Sequence, residues 1–292
     1  MVCFIILHYL IYEETVKCVN NLINTVEGDF KIVVVDNCSP NQSGEQLQKH
    51  FKNNEKVHII LNDKNDGFAR GNNVGYQYAK KYLKPDFAVI MNNDVEIIQK
   101  DIIERITKIY DTEKFYVLGP DIFSTSAQIH QSPKSTTAYD LEKVKAVNQA
   151  YKKKMDSKIL VPLRCCLKQF RPLRMVYHKK KNHNLKIDFS KQYFNVPLHG
   201  SCLIFSPLFV QKRSVAFFEG TFFYYESEIL DYECKRDHMK TMYDPSIKVY
   251  HHQNLATNAA FHSALKKVRF ANQCIYNSTS AFLDLIMQDS KK

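Results

Sequence analysis

Two groups of residues in this 292-residue chain have the types and spacing to do chemistry. The first is an acidic pair, Glu226 and Glu228, placed directly after the aromatic run FFEGTFFYY of residues 217–225. A carboxylate packed among aromatic rings loses hydration, which raises its pKa toward the range a general base needs. Acids in a first helical turn also serve simply as partners of the helix dipole, so the pair reads either way. Of the two, Glu226 is the stronger candidate because it follows the aromatic run without a gap. The second group is Asn92-Asn93-Asp94, which closes the apolar run Phe87-Ala88-Val89-Ile90-Met91. One carboxylate with an amide oxygen can hold a hard divalent cation that keeps most of its coordination for water and a phosphorylated ligand. The alternative is an ordinary Asn/Asp turn after a strand.

These residues need elements to position them. Val2 to Leu7, Phe30 to Val35, Val57 to Leu61 and Phe87 to Met91 are continuous apolar runs, as buried parallel strands are. Between them lie helical patterns, over Glu13 to Ile23, Glu45 to Phe51 and Asn72 to Leu83. Strands alternating with helices predict an α/β chain with a doubly wound, mostly parallel sheet. In such sheets ligands bind beyond the carboxyl ends of the strands. His8-Tyr9, Asp36-Asn37 and Asn92-Asp94 each end a strand and are expected along one rim. Asp36 there could accept a hydrogen bond from a ribose or a base edge, or could cap its own turn. Further on, His199-Gly200-Ser201 breaks the chain before the apolar Cys202 to Phe205. His251-His252 ends the run Ile247 to Tyr250, where a histidine could bind metal or phosphate. Residues 258–292 read as a C-terminal helical region, with helices over Ala264 to Met287.

The net charge of +11 is local. Lys134 to Lys191 carries 16 basic against 4 acidic residues, which leaves 25 basic and 26 acidic in the remainder. This basic stretch interleaves apolar residues and reads as a helical insertion of 134–191 in a single domain spanning 1–292. Its composition suits contact with anionic lipid, or else a solvated charged face. It has few aromatics for base stacking, so no nucleic-acid partner is expected. Val2 to Tyr12 is too short to span a bilayer and lacks the flanks of a signal peptide. The eight cysteines show no metal spacing and read as reduced thiols of a cytosolic chain.

Taken in order, these motifs resemble the family 2 glycosyltransferases of the GT-A fold, including the rhamnosyltransferase-like members that build bacterial surface polysaccharides such as capsule and O-antigen. The HY of His8-Tyr9 looks like the family's first nucleotide-contacting turn, and VVVDNCSP, with Asp36 and Asn37, like its VVDNxS segment. NDGFARGNN resembles the loop beside the nucleotide, which brings in Gly67, Phe68, Arg70 and Asn72. MNNDVEI resembles the DxD region, with Asn92, Asn93 and Asp94. HGSCLIFS resembles the segment near donor and acceptor, with His199, Gly200 and Ser201. FFYYESEIL resembles the segment of the catalytic base, and YHHQ the closing histidine motif, with His251. The chain departs from the family where Ser227 stands between two glutamates in place of the usual Glu-Asp pair. The resemblance implies inverting transfer from a nucleotide-diphosphate sugar, UDP or dTDP type, to a saccharide hydroxyl, with Mn2+ or Mg2+ on Asp94 and His251 and with Glu226 or Glu228 as base. It also implies a lipid-linked acceptor and a peripheral enzyme at the cytoplasmic face of the membrane. The rival readings are a sugar nucleotidyltransferase, which lacks its Gly-rich phosphate loop here, and a non-catalytic basic module.

Overall fold

The computed structural model describes residues 1–156, 187–252 and 263–291. The four apolar runs form strands β1 (Val2–His8), β2 (Phe30–Asp36), β3 (Val57–Leu61) and β4 (Phe87–Asn92). They pair in parallel in the order β3-β2-β1-β4. Helices α1 (Tyr12–Thr25), α2 (Ser43–His50) and α3 (Gly67–Tyr78) make the crossovers, and one π-helical turn over Ala79–Leu83 extends α3. Both faces of the sheet are covered. Phe4, Ile6, Ile32 and Val34 point to α1 and α2, while Cys3, Ile5, Val33 and Val35 point to α3. The period-2 alternation of a strand thus divides one continuous apolar run between two cores.

Beyond β4 the chain adds β5 (Val95–Ile97), α4 (Ile102–Glu113), β6 (Val117–Ser124), β7 (Ile129–His130) and α5 (Leu141–Asp156). Then come β8 (Tyr193–Phe194), β9 (Cys202–Phe205), α6 (Pro207–Lys212), α7 (Glu226–Arg236), β10 (Thr241–His251) and α8 (Ala264–Asp289). The sheet continues β4-β9-β6-β10-β5, with β9 antiparallel to both neighbours and β5 antiparallel to β10. The sheet is therefore mixed on this side. Within β10 the register against β6 shifts between Asp244 and Lys248, where Pro245 has no N–H to give to the ladder.

One expectation is corrected. The C-terminal region, among the described residues, is one helix of 26 residues rather than several. The basic stretch, expected as a helical insertion, has α5 near its start, and that helix is docked on its neighbours. Val144 of α5 is fully buried against Ile229 of α7 and against Phe282 and Ile286 of α8. Counting charges does not reveal this, because one apolar stripe is enough to dock a lysine-rich helix. The remainder of the stretch, 157–186, lies outside the described residues.

Candidate active site

Register places the strand ends together. His8 lies opposite Asp36, Leu7 opposite Asn92, Met91 opposite Cys202, and His251 opposite both Ser124 and Val95. The carboxyl ends of β1, β2, β4 and β10 and the start of antiparallel β9 therefore share one rim. Asp94, His251, His199, Gly200, Ser201, Glu226 and Glu228 gather on one part of it, and Asp36, Asn37, Gly67 and Phe68 on another.

The chemistry end starts at Asp94. Its carbonyl accepts from the His252 N–H at 2.9 Å, which pins the turn to the last strand. Its side chain is mostly buried, and Asp94 Oδ1 lies 3.1 Å from His251 Nε2 without hydrogen-bond geometry. On its far side, His251 Nδ1 is 2.7 Å from Gln131 Oε1. An amide oxygen can only accept, so Nδ1 carries a proton, and Nε2 is the ring nitrogen that faces the carboxylate oxygen. Two ligand atoms bound cis to one octahedral cation at ~2.1 Å stand about 3 Å apart. The pair therefore fits a divalent metal that takes its other ligands from water and phosphate. Among the described residues no third His, Cys, Asp or Glu completes a cage.

The His199 ring is 5.8 Å from the His251 ring, edge to face. Its Nδ1 accepts from the Ser201 N–H at 3.2 Å. Burial, with nearby Lys134 and His251 adding to it, holds its pKa well below the usual histidine value, so His199 is neutral. Gly200 lies beside Ser227 of α7, at ordinary packing distance.

At the start of α7 the two acids differ. Tyr224 and Tyr225 both have positive φ, 71° and 74°, and turn the chain into the helix. Both glutamates are buried at 7% exposure. Glu226 Oε1 has no hydrogen-bond partner. Burial is the main cause that raises the Glu226 pKa to about 7. The Glu228 charge adds to this, while a backbone hydrogen bond, Lys134 and Thr221 oppose it. Burial also pushes Glu228 up. There, however, the Lys134 charge and hydrogen bond, a backbone N–H and Ser227 together outweigh burial and hold it below its ordinary value. Lys134 Nζ donates to Glu228 Oε1 and to Ser227 Oγ, each at 2.8 Å. At neutral pH the site therefore has one carboxylate fixed as an anion and one poised near its pKa.

The other end is a polar lattice around the first turn of α3. Asn37 Nδ2 donates to Asn65 Oδ1 at 2.8 Å and to the Gly67 carbonyl at 3.1 Å. Gly67 has φ +83°, and an added side-chain carbon would lie 2.2 Å from the Phe222 carbonyl oxygen. That oxygen accepts from the Phe68 N–H at 2.7 Å. Asn73 holds the same crossing segment through Ala216, Phe217 and Glu219. Residues 216–226 thus run from the α3 turn to the acid pair. Asp36 accepts from the N–H and hydroxyl of Ser39. Arg70 is exposed, with Nε bonded to the Glu219 carbonyl. Asn72 Nδ2 bonds the Phe68 carbonyl, and its buried Oδ1 has no partner. Tyr9 and Asn92 are half-buried at the rim.

Two expected rim residues are turned inward. His8 is fully buried, with Nδ1 bonded to Thr15 and Nε2 to Ser43, so neither ring nitrogen is free for a ligand. Asn93 donates to the same Thr15 hydroxyl at 3.0 Å. A strand-end position alone does not say which way a side chain faces. Sequence reasoning also missed Gln131 and Lys134. Lys134 looked like the first residue of a charged surface, and no local pattern marked either one.

A family model described as Glycosyl transferase family 2 matches residues 3–181. The chain is 22% identical over 287 residues to the low-salt glycan biosynthesis hexosyltransferase Agl10 of Haloferax volcanii, covering 90% of this chain and 78% of that one. It is 28% identical over 123 residues to the dTDP-rhamnosyl transferase RfbF of Shigella flexneri, covering 42% of this chain and 39% of that one. Among solved structures, GalNAc-T7 with UDP, GalNAc and Mn2+ superposes with a TM-score of 0.57 at 12% identity, covering 87% of this chain and 44% of that one. That likeness shows the fold alone, which is GT-A.

Proposed function

The chain belongs to glycosyl transferase family 2, and on that premise we propose that it moves a hexosyl or deoxyhexosyl group, with inversion, from a UDP- or dTDP-sugar to a saccharide hydroxyl. The observation that carries this reading is one rim holding both a cation-spaced Asp94–His251 pair and a buried carboxylate near neutrality, Glu226. Names of the relatives support sugar transfer in glycan synthesis, and the dTDP-rhamnosyl relative supports a deoxyhexose donor.

Asp94 and His251 would hold Mn2+ or Mg2+, which when bound neutralises the leaving diphosphate. The protein's own residues do the rest. The α3 turn with Asp36, Asn37, Gly67, Phe68 and Asn72 frames the nucleotide, and Arg70 stands at its exposed edge. His199, Gly200 and Ser201 floor the space between donor and acceptor. Glu226 takes the proton from the acceptor hydroxyl as its oxygen bonds the anomeric carbon and the bond to the diphosphate oxygen breaks. Neutral His199 adds no positive charge beside the Asp94–His251 pair. The acceptor fits a lipid-linked saccharide of surface polysaccharide synthesis. Exposed Lys152 and Lys153 of α5 support a peripheral position on the anionic cytoplasmic face of a membrane. Among the described residues no helix is long and apolar enough to cross a membrane.

The test is a thermal-shift panel of nucleotide diphosphates and nucleotide sugars with and without Mn2+. A ligand that binds only the native state raises its Tm. A metal-dependent shift for one nucleotide class, absent in Asp94→Ala, is expected and names the donor base. Glu226→Gln should keep that shift and lose about 100-fold or more in kcat. A nucleotide shift that is absent in wild type, or full activity in Glu226→Gln, would overturn the reading.

A further inference from the structure

The two glutamates at the start of α7 are chemically alike, equally buried and two residues apart, yet only one can serve as base in any given turnover. We infer that Lys134 is the positioning residue that makes them unequal: by clamping Glu228 and Ser227 it reserves Glu226 for the proton of the acceptor. The inference rests on the base reading above and adds a residue from a different element to it.

The geometry is specific. Lys134 comes from the segment between β7 and α5, and its N–H is fixed to the Pro197 carbonyl at 2.8 Å. Its ammonium reaches Glu228 Oε1 and Ser227 Oγ, while Ser227 Oγ in turn donates to Glu228 Oε2 at 3.0 Å. Both oxygens of Glu228 are therefore occupied. Glu226 Oε1 is left without a partner, as an incoming hydroxyl requires. The Lys134 side chain is three-quarters buried and that of Glu228 nine-tenths, so the pair interacts through little water. The other titratable groups facing the acid pair are Tyr139 ahead of α5, Tyr224 and Tyr225 before α7, Asp231 within α7, Cys274 of α8 and His199 before β9. Burial raises the tyrosines and Cys274 and lowers His199, so all of these are neutral near pH 7. Asp231 has its own cation, Lys235, at 2.8 Å. Lys134 is thus the cation bonded directly to the acid pair.

Removing that cation leaves two buried carboxyls in one field, and such pairs lose their protons in two separated steps that belong to the pair. The step that frees the second carboxyl moves up by about one pH unit or more. Lys134 makes no bond to Glu226, so its effect there is one of charge.

The experiment is the pH dependence of kcat with saturating donor and metal for five forms of the full chain. Wild type should show one acid limb near pH 7. Lys134→Met should replace it with two steps, the upper one above the wild-type limb, and lower kcat at neutral pH. Glu228→Gln leaves Lys134 with no anion beside Glu226 and should move the limb below the wild-type position. The double variant Lys134→Met with Glu228→Gln has a neutral neighbour again, and should return a single limb close to wild type with kcat partly restored. Lys134→Arg should keep the wild-type profile. A merely structural lysine would change stability, which deleting its partner restores, but would leave the pH position of the limb unmoved in every variant. A single wild-type limb in Lys134→Met, or additive losses in the double variant, would overturn the inference. Failure of the base reading is separate: Glu226→Gln would stay active and Glu228→Gln would be dead. Nucleotide-induced thermal shifts on each variant identify any form that fails to fold.

Discussion

Glu226 shows at the scale of one residue what the site demands of the fold. A carboxyl near 4.5 in the unfolded chain and near 7 in the native one must be ionised against its surroundings at working pH. An acid whose pKa rises on folding costs stability above its unfolded value, and the cost grows until pH passes the native value. Replacing it with an isosteric amide removes that cost. Glu226→Gln is therefore expected to gain stability relative to wild type as pH rises from about 5 to about 7, with the difference level above that, as read by urea unfolding at a series of pH values. The same variant is the one expected to lose kcat. Gln131 gives a second prediction. It fixes the proton of His251 on Nδ1, as outer partners of metal-binding histidines do, so Gln131→Ala should weaken Mn2+ binding by roughly 10–100-fold. A titration of the metal-dependent nucleotide thermal shift reads this directly. At this scale the sequence was legible where chemistry is written into neighbours. An acid pair behind aromatics and an Asn-Asn-Asp after a strand are local patterns. Gln131 and Lys134 acquire meaning only from partners about a hundred residues away, His251 for one and Glu228 for the other. Neither had any local neighbour to announce it.

At the scale of elements, the parallel half was readable because four apolar runs and three helical patterns alternate, and short crossovers leave few topologies. The direction of β9 was not readable. Cys202 to Phe205 is an apolar run that would look the same in either orientation. Only its pairing shows that Met91 meets Cys202 at its amino end. That reversal matters, because it brings residues before the strand, His199 to Ser201, to the rim where the carboxyl ends of β1, β2, β4 and β10 lie. The α3 turn carries the clearest test of how elements hold the site. Gly67 combines left-handed φ with a main chain crossing directly over it. Gly67→Ala should cost about 1–3 kcal/mol in urea unfolding, through backbone strain and displacement of residues 216–226. Because that segment leads into Glu226, kcat should fall along with stability. A Gly67→Ala protein with wild-type midpoint and rate would show that the crossing is not a constraint.

For the molecule as a whole, charge and core are arranged separately. The basic excess enters through α5, whose apolar stripe packs on α7 and α8 while exposed Lys152 and Lys153 face outward. If that face rests on anionic lipid, the full chain should co-sediment with vesicles containing phosphatidylserine and be released as NaCl rises from ~0.1 M to ~1 M, over which the screening length falls from about 10 Å to about 3 Å. Neutral vesicles should not retain it. The sheet order has a different consequence, one that concerns the chain before it is finished. Strand β5, which follows Asp94 directly, pairs within the sheet to β10 alone. A ribosome adding ~5–20 residues per second delivers His251 about eight to thirty seconds after Asp94. The nucleotide-framing turn can thus form early, on β1 to β4, while Asp94 lacks both its sheet anchor and its histidine. If Asp94 and His251 hold the metal, a nascent chain is silent for that interval, and its chemistry begins only when the last strand has been threaded between β6 and β5.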